Sequence, residues 1–198
     1  MKTEYEAKFL DIDIKKMRQA LRKIGAKLEK PMRSFRRVTI DTPAMKKKDA
    51  FVRVRDEGDR VTITYKQFKT LSVDGAREYE IVVDNFEEAV VLLAEAGLPA
   101  GSYQESRRET WRYGNVEIDI DEWPWLKPYI EIEADGVESV KNFAAKLELD
   151  WDDAVFGDVM AAYRAEYPHL TMKDTIGNLL EVKFGDPLPD LLKVPKKK

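Results

Sequence analysis

The residues best placed to do chemistry in this sequence are carboxylates and guanidinium groups spaced two apart. Glu4, Glu6 and Lys8 alternate with Tyr5, Ala7 and Phe9 at the start of the chain. The carboxylate spacing returns at Glu78 and Glu80, at Glu117, Asp119 and Asp121, and at Glu131 and Glu133. Arg53 and Arg55 are the basic counterpart, and Arg37, Lys66, Arg108 and Arg112 stand on segments with the same alternation. Side chains two apart on an extended strand share one face. Grouped carboxylates suit hard Mg²⁺ or Mn²⁺, which keep several waters and bridge to phosphate oxygens. Arginine forks grip phosphate oxygens in pairs, and a lysine adds a point charge. The guest such a set fits is a polyphosphate chain with its metals.

The elements that must position these groups follow from periodicity. Ile14, Met17, Leu21 and Ile24 predict a helix, capped by Asp11 or Asp13 and ended by Gly25. Alternation returns from Arg37, with Thr39 and Asp41 on the face of Arg37, and residues 42–49 read as a solvated loop carrying Lys46 to Lys48. Residues 51–55 and 61–66 predict a hairpin turning at Glu57-Gly58-Asp59, and residues 67–76 a second loop. A strand over 77–83 leads to a helix opened by Asp84 or Asn85 and closed by Gly97 and Pro99. Strands over about 107–113 and 116–121, joined at Gly114-Asn115, and over 129–133 follow, then a helix bearing Val137, Val140, Phe143, Ala144 and Leu147. A last helical part is expected from Asp152 to about Tyr167, and a short element near 172–180. A Glu-x-Glu strand, a helix and a return strand with an Arg pair occur twice, returning at Arg36-Arg37 and at Arg107-Arg108, which reads as an internal duplication.

Composition narrows the classes. The 198 residues suit one domain, read as residues 1–198, with the strand and helix repeat over about 2–167, a helical extension over about 168–192 and a basic tail over 193–198. A net charge of -3 argues against general nucleic-acid affinity. No cysteine is present, which excludes disulfides and thiol nucleophiles. No apolar run approaches a membrane span and the start lacks a signal-peptide pattern, so a cytoplasmic protein is expected. No phosphate-binding Gly-x-x-x-x-Gly-Lys-Ser/Thr loop occurs, and the single histidine, His169, reads as a surface residue. Trp111, Trp123, Trp125 and Trp151 read as packing residues, with Trp123 and Trp125 the best placed to stack on a base.

The charged faces are expected to point inward. Each amphipathic helix needs an apolar surface to cover, which the opposite faces of the strands supply. A solvated sheet tends to alternate signs between neighbours, whereas here signs are grouped strand by strand. The expected fold class is therefore α+β, about eight strands suiting closure into a small barrel with a charged interior and helices packed outside.

The ordered series Glu4-x-Glu6-x-Lys8, Arg53-x-Arg55, Lys66, Glu78-x-Glu80, Arg108, Asp121 and Glu131-x-Glu133 resembles the CYTH or triphosphate tunnel metalloenzyme superfamily over roughly residues 2–167. Its members include class IV adenylate cyclases, thiamine triphosphatases and inorganic triphosphatases. The resemblance implies an eight-stranded antiparallel closed β-barrel, a tunnel, that binds a triphosphate with Mg²⁺ or Mn²⁺. Lys8, Arg53, Arg55, Lys66 and Arg108 would hold phosphates, with Arg37 and Arg112 sharing their face. Glu4, Glu6, Asp121, Glu131 and Glu133 would hold metals or orient water, with Lys8 also in the catalytic set and Glu78, Glu80, Glu117 and Asp119 in support. Two departures bear on substrate choice: Ser106 stands where many members carry a lysine, and Thr39 replaces an aromatic residue.

The expected function is hydrolysis of the terminal phosphoanhydride of inorganic triphosphate, thiamine triphosphate or a nucleoside triphosphate. The alternatives are a class IV adenylate cyclase making cyclic AMP and pyrophosphate, and a non-catalytic polyphosphate-binding protein. The partner is a triphosphate-containing small molecule, with no nucleic acid or membrane, and the chain is a monomer or homodimer.

Overall fold

The computed structural model describes residues 2–194; the Pro195 to Lys198 end of the basic tail lies outside the described residues. The chain runs β1 (Lys2–Phe9), α1 (Ile14–Lys23), β2 (Lys27–Ile40), α2 (Pro43–Lys46), β3 (Ala50–Asp56), β4 (Val61–Phe68), β5 (Ala76–Val83), α3 (Phe86–Glu95), β6 (Ser102–Tyr113), β7 (Val116–Glu122), β8 (Tyr129–Ala134), α4 (Val137–Lys146), α5 (Val159–Glu166) and β9 (Glu181–Val182). Strands β2-β3-β4-β5-β1-β8-β7-β6 are neighbours in that order, and β6 closes on β2 to complete an antiparallel ring of eight; β9 adds parallel to β6. The order reads the same, reversed, when β1–β4 are exchanged with β5–β8. The proposed duplication would have this two-fold arrangement, with β1 against β5 and β2 against β6.

Period-two alternation fixes what faces out. Ala7, Phe9, Trp111, Ile118, Ile120, Ile130 and Ile132 are buried on the outside of the ring under Met17 and Leu21 of α1 and Val140, Phe143 and Ala144 of α4. A second patch, Val38, Ile40, Val52 and Val54, lies under Phe86 and Ala89 of α3. Each fully buried Ile or Leu contributes about 1.5–3 kcal/mol, so these faces hold the ring's polar side inward. Asp13 caps α1 by accepting from Lys15 and Lys16 N, and Asn85 caps α3 by accepting from Glu88 N.

Several expectations need correction. Strand β2 begins at Lys27, ten residues before Arg37, because its pairing with β6 starts there, with irregularities between Leu28 and Arg33. The loop 42–49 holds α2, opened by Pro43 at its first turn and capped by Thr42. The helix expected over 152–167 is split into a 3-10 turn at Trp151–Asp153 and α5. Between them Gly157 adopts φ +110°, where a side chain would be strained, and Val155 bridges to Lys8 of β1. The segment expected to be helical over 168–192 contains 3-10 turns at Ile176–Asn178 and Asp190–Leu192 with β9 between them. Its Leu170, Ile176, Val182 and Leu192 pack with Trp123, Tyr129, Met160 and Tyr163 as a third core. His169 is half-buried against Tyr167, not a surface residue, with Nε2 3.3 Å from the Leu191 carbonyl.

Candidate active site

The inward faces enclose a chamber of about 330 Å³ whose charges are sorted by strand. β5, β1, β8 and β7 are consecutive in the ring and present Glu78 and Glu80, Glu4 and Glu6, Glu131 and Glu133, then Glu117, Asp119 and Asp121. The other four, β6, β2, β3 and β4, present Arg108, Arg37, Arg53 and Arg55, and Lys66. Register makes the acidic half dense, since Glu6 lies opposite Glu133 and Glu133 opposite Glu117, while Asp119 lies opposite Glu131. Lys8 is the exception in this half, directly opposite Glu131.

Cations pair with the acidic half, Lys8 from within it and Lys66 and Arg108 from the basic half. Lys8 Nζ is 2.7 Å from Glu131 and 3.0 Å from Glu6, and Lys66 Nζ is 2.7 Å from Glu4 and 3.5 Å from Glu6. Arg108 reaches Asp119 at 2.6 Å, Asp121 at 2.5 Å and Glu131 at 3.3 Å. Burial alone would lower the Lys8 ammonium and raise the Glu131 carboxyl, but their neighbours together outweigh it, Glu131 and Glu6 for the lysine and Lys8, Arg108 and Lys66 for the carboxylate, so both stay charged. Where neighbours share a sign the balance reverses. Burial, then the charge of Glu4, pushes Glu78 up to about 7. Burial pushes Asp119 up to about 7, with Asp121 and Glu117 adding to it against Arg108. Burial, then Arg55, pulls Arg53 down to about 10, and burial with Arg53 and Arg55 lowers Arg37.

The predicted residues divide by position. Glu4, Glu6, Lys8, Arg37, Arg53, Arg55, Lys66, Glu78, Glu80, Arg108, Glu117, Glu131 and Glu133 all line the chamber. Asp119 and Asp121 stand behind Arg108, each gripped by its guanidinium. Arg112 does not reach the chamber: it lies at the far end of β6, bound to Glu29 and Glu117. Ser106 accepts from Arg37 Nη2 at 2.8 Å, so the serine orients one arginine where a lysine was expected. The Arg37 guanidinium lies 4.4 Å from the centre of the Trp123 ring, a cation–π contact that occupies one face of it. Trp125 donates its indole N–H to the Asp186 carbonyl at 2.9 Å.

Two groups escaped the sequence reading. Glu57 was read as a turn residue, yet it is 2% exposed and binds Arg55 and Arg60, with Arg33 at 3.6 Å. Its signal was the alternation itself, since Arg53, Arg55 and Glu57 are successive inward positions. Asp158 and Thr175 line the chamber from beyond the strand series, and no local pattern announced them.

The buried Nε atoms of Arg37, Arg53 and Arg55 make no hydrogen bond, which leaves three guanidinium donors without an acceptor. For a metal, the donor chemistry fits: the acidic half offers carboxylate oxygens alone, and its crowding favours a divalent counter-charge. Among the described residues no three such side chains gather closely enough to hold an ion as they stand, each of Glu4, Glu6 and Glu131 being held by a lysine.

Comparisons with known proteins agree with this geometry. The CYTH domain pattern matches residues 2–153. No curated protein matches the sequence. The chain is similar in structure to a candidate adenylate cyclase from Vibrio parahaemolyticus, at 14% identity over 80% of this chain and 96% of that one, with a TM-score of 0.70. It is similar to the PH1012 protein of Pyrococcus horikoshii at 22% identity, over 76% and 93%, with a TM-score of 0.64. A Hippeastrum protein named as a candidate adenylyl cyclase with a dominant triphosphatase activity gives 16% identity over 82% and 96%, with a TM-score of 0.53. These likenesses concern the fold, and no helix of the described residues is long and apolar enough to cross a membrane. With the domain pattern matched over most of its length and its strands closed into the expected ring, the chain belongs to the CYTH domain family.

Proposed function

We propose that this protein is a divalent-metal-dependent hydrolase that cleaves the terminal phosphoanhydride of a triphosphate inside its ring. The observation that carries the reading is the sorting of charge, one half of the chamber acidic and the other basic. Arg37, Arg53, Arg55, Lys66 and Arg108 bind the phosphates, and the unbonded Nε donors of Arg37, Arg53 and Arg55 gain acceptors when they do. Mg²⁺ or Mn²⁺ would be held by Glu4, Glu6, Glu131 and Glu133, with Asp121 gripped by Arg108 behind them, and would neutralise phosphate charge and favour hydroxide over water. Glu78, Glu80, Glu117 and Asp119 support these groups through charge.

In the reaction a water oxygen bonds to the terminal phosphorus as the bond to the bridging oxygen breaks, the diphosphate leaves with that oxygen, and the proton the water loses passes to an oxygen of the phosphate products. Lys8, kept protonated by Glu131 and Glu6, and the arginines stabilise the charge that develops. The Hippeastrum relative's dominant triphosphatase activity favours the same reaction. The Vibrio relative keeps cyclisation as the second reading. Against it stands Trp123, which is 4% exposed and has one face covered by Arg37.

Product analysis by ³¹P NMR, with Mg²⁺ or Mn²⁺ and separately inorganic triphosphate, thiamine triphosphate and ATP, tests the reading. Orthophosphate with the matching diphosphate is expected. Pyrophosphate with a cyclic nucleotide from ATP replaces it with the cyclase, and binding without any product leaves a polyphosphate carrier.

A further inference from the structure

The outside of the ring is covered unevenly. The ring order exchanges the pair β4–β5 with the pair β8–β1. Helix α4 packs on β8 and β1, burying Val140 and Phe143 with Phe9, Ile130 and Ile132. No helix takes that place on β4 and β5, because residues 69–75 join the two strands directly. On this outward face Ile63 lies opposite Ile81 and Tyr65 opposite Tyr79. Tyr79 is 59% exposed and Ile81 60% exposed.

The same strand has a free edge. β1 pairs with β5 only through residues 2–4 against 76–78, so residues 79–83 have β4 on one side and, among the described residues, no strand on the other. Such an edge displays backbone N–H and C=O groups to any strand that comes alongside, and natural sheets blunt it with lysine, proline or a bulge. Residues 79–83 contain no lysine or proline and pair with β4 without a register shift. Their one charged residue, Glu80, lines the chamber. Nothing in the edge resists pairing.

We propose that a second copy of this chain pairs here, β5 antiparallel to β5 about a two-fold axis through Ile81. An identical strand matches the edge, being apolar on its outward side and acidic only on its inward side. Outward positions must stay outward across the axis, so the axis passes through a residue and not between two. Centring on Glu80 sets two carboxylates directly opposite each other, and centring on Val82 sets Glu80 opposite Asp84, both unfavourable. Centring on Ile81 uses all five edge residues, with Tyr79 opposite Val83, Glu80 opposite Val82 and Ile81 opposite itself. The pairing stops at Glu78, where β1 takes the edge. It joins the two bare outward faces into one apolar surface, and it does not depend on what the chamber binds.

Sedimentation velocity on the full chain over a dilution series tests the interface. A species of twice the chain mass is expected. Ile81→Lys sets two ammonium groups opposite each other and removes an apolar contact from each copy, so it should weaken association at least about tenfold. Val82→Lys is expected to leave the dimer intact, because its ammonium meets the partner's Glu80. Tyr79→Lys, on the same exposed face, gives a second reading should Ile81→Lys fail to fold by circular dichroism. A chain that stays monomeric throughout, or a dimer that Ile81→Lys and Tyr79→Lys leave as tight as before, overturns the interface. Loss of the dimer in folded Val82→Lys overturns the register.

Discussion

The hairpins β3–β4 and β7–β8 hold equivalent places in the two halves of the ring, yet their inward faces have opposite charge. The first presents Arg53, Arg55 and Lys66, the second Glu117, Asp119, Asp121, Glu131 and Glu133. Their outward faces are alike, Val52, Val54 and Ile63 in one and Ile118, Ile120, Ile130 and Ile132 in the other. Strand pairing and apolar burial thus specify the ring, while inward positions are left to chemistry. Neither hairpin is comfortable alone: burial and like charges raise Asp119 to about 7 and lower Arg53 to about 10. Opposed across one chamber, the two offer complementary faces to a ligand that carries both signs, as the proposed polyphosphate with its metals does.

The contrast is broken most severely at Arg108, the guanidinium that joins basic β6 to the acidic hairpin. Arg108→Ala leaves Asp119, Asp121 and Glu131 without that cation and is expected to cost about 3–5 kcal/mol, as loss of one buried ion partner does. Denaturant unfolding measures it, and Mg²⁺ should restore part of the loss. A change below about 1 kcal/mol would show that the acidic hairpin stands without its partner.

Substitutions within each hairpin should separate binding from turnover. Arg53→Ala is expected to weaken triphosphate affinity about tenfold or more, the loss of a charge-assisted contact. Glu131→Ala is expected to lower kcat by about 10–100-fold or more, with the larger effect on metal-dependent turnover. Steady-state kinetics and binding on the same folded variants decide it, and wild-type values in both remove the site assignment.

The titration of the acidic half gives a subtler test. Glu78 and Asp119 titrate near 7 in the folded chain, above their ordinary 4.5 and 3.8. The folded state therefore binds more protons than the unfolded one between those values, and the stability contributed by these groups falls as pH rises through about 7. A divalent cation offsets that fall, so the rise in Tm on adding Mg²⁺ should be larger at pH 8 than at pH 5. Equal shifts at both would place the cation elsewhere. The smallest effect is expected at Ser106→Ala, which removes the acceptor for Arg37 Nη2 and should cost about 1 kcal/mol of binding.

Much of the ring was legible because its signal is local. Alternation over residues 51–55 and 61–66 named both faces of β3 and β4 and the turn between them. Asp13, Asn85 and Gly25 marked helix ends through short-range hydrogen bonding and backbone freedom. The extent of β2 was not legible, since Lys27 to Arg36 is held as a strand by β6, far along the chain. Arg112 shared a face with Arg108 as predicted, but four residues of strand carried it out of the main chamber. The broken helix after Trp151 was missed because the pairing of Val155 with Lys8 and the turn at Gly157 replace a helical pattern that local spacing supports.

What the sequence determined by itself is the sign and side of each strand's charges, because a period of two needs only neighbours to express it. Tertiary structure alone decided which strands meet: that four acidic ones are consecutive, that Arg108 reaches three carboxylates, and that residues 158–160 and 175–177, beyond the strand series, line the chamber. Those outcomes depend on pairings between distant segments, and such pairings are selected by the burial of whole faces when the ring closes.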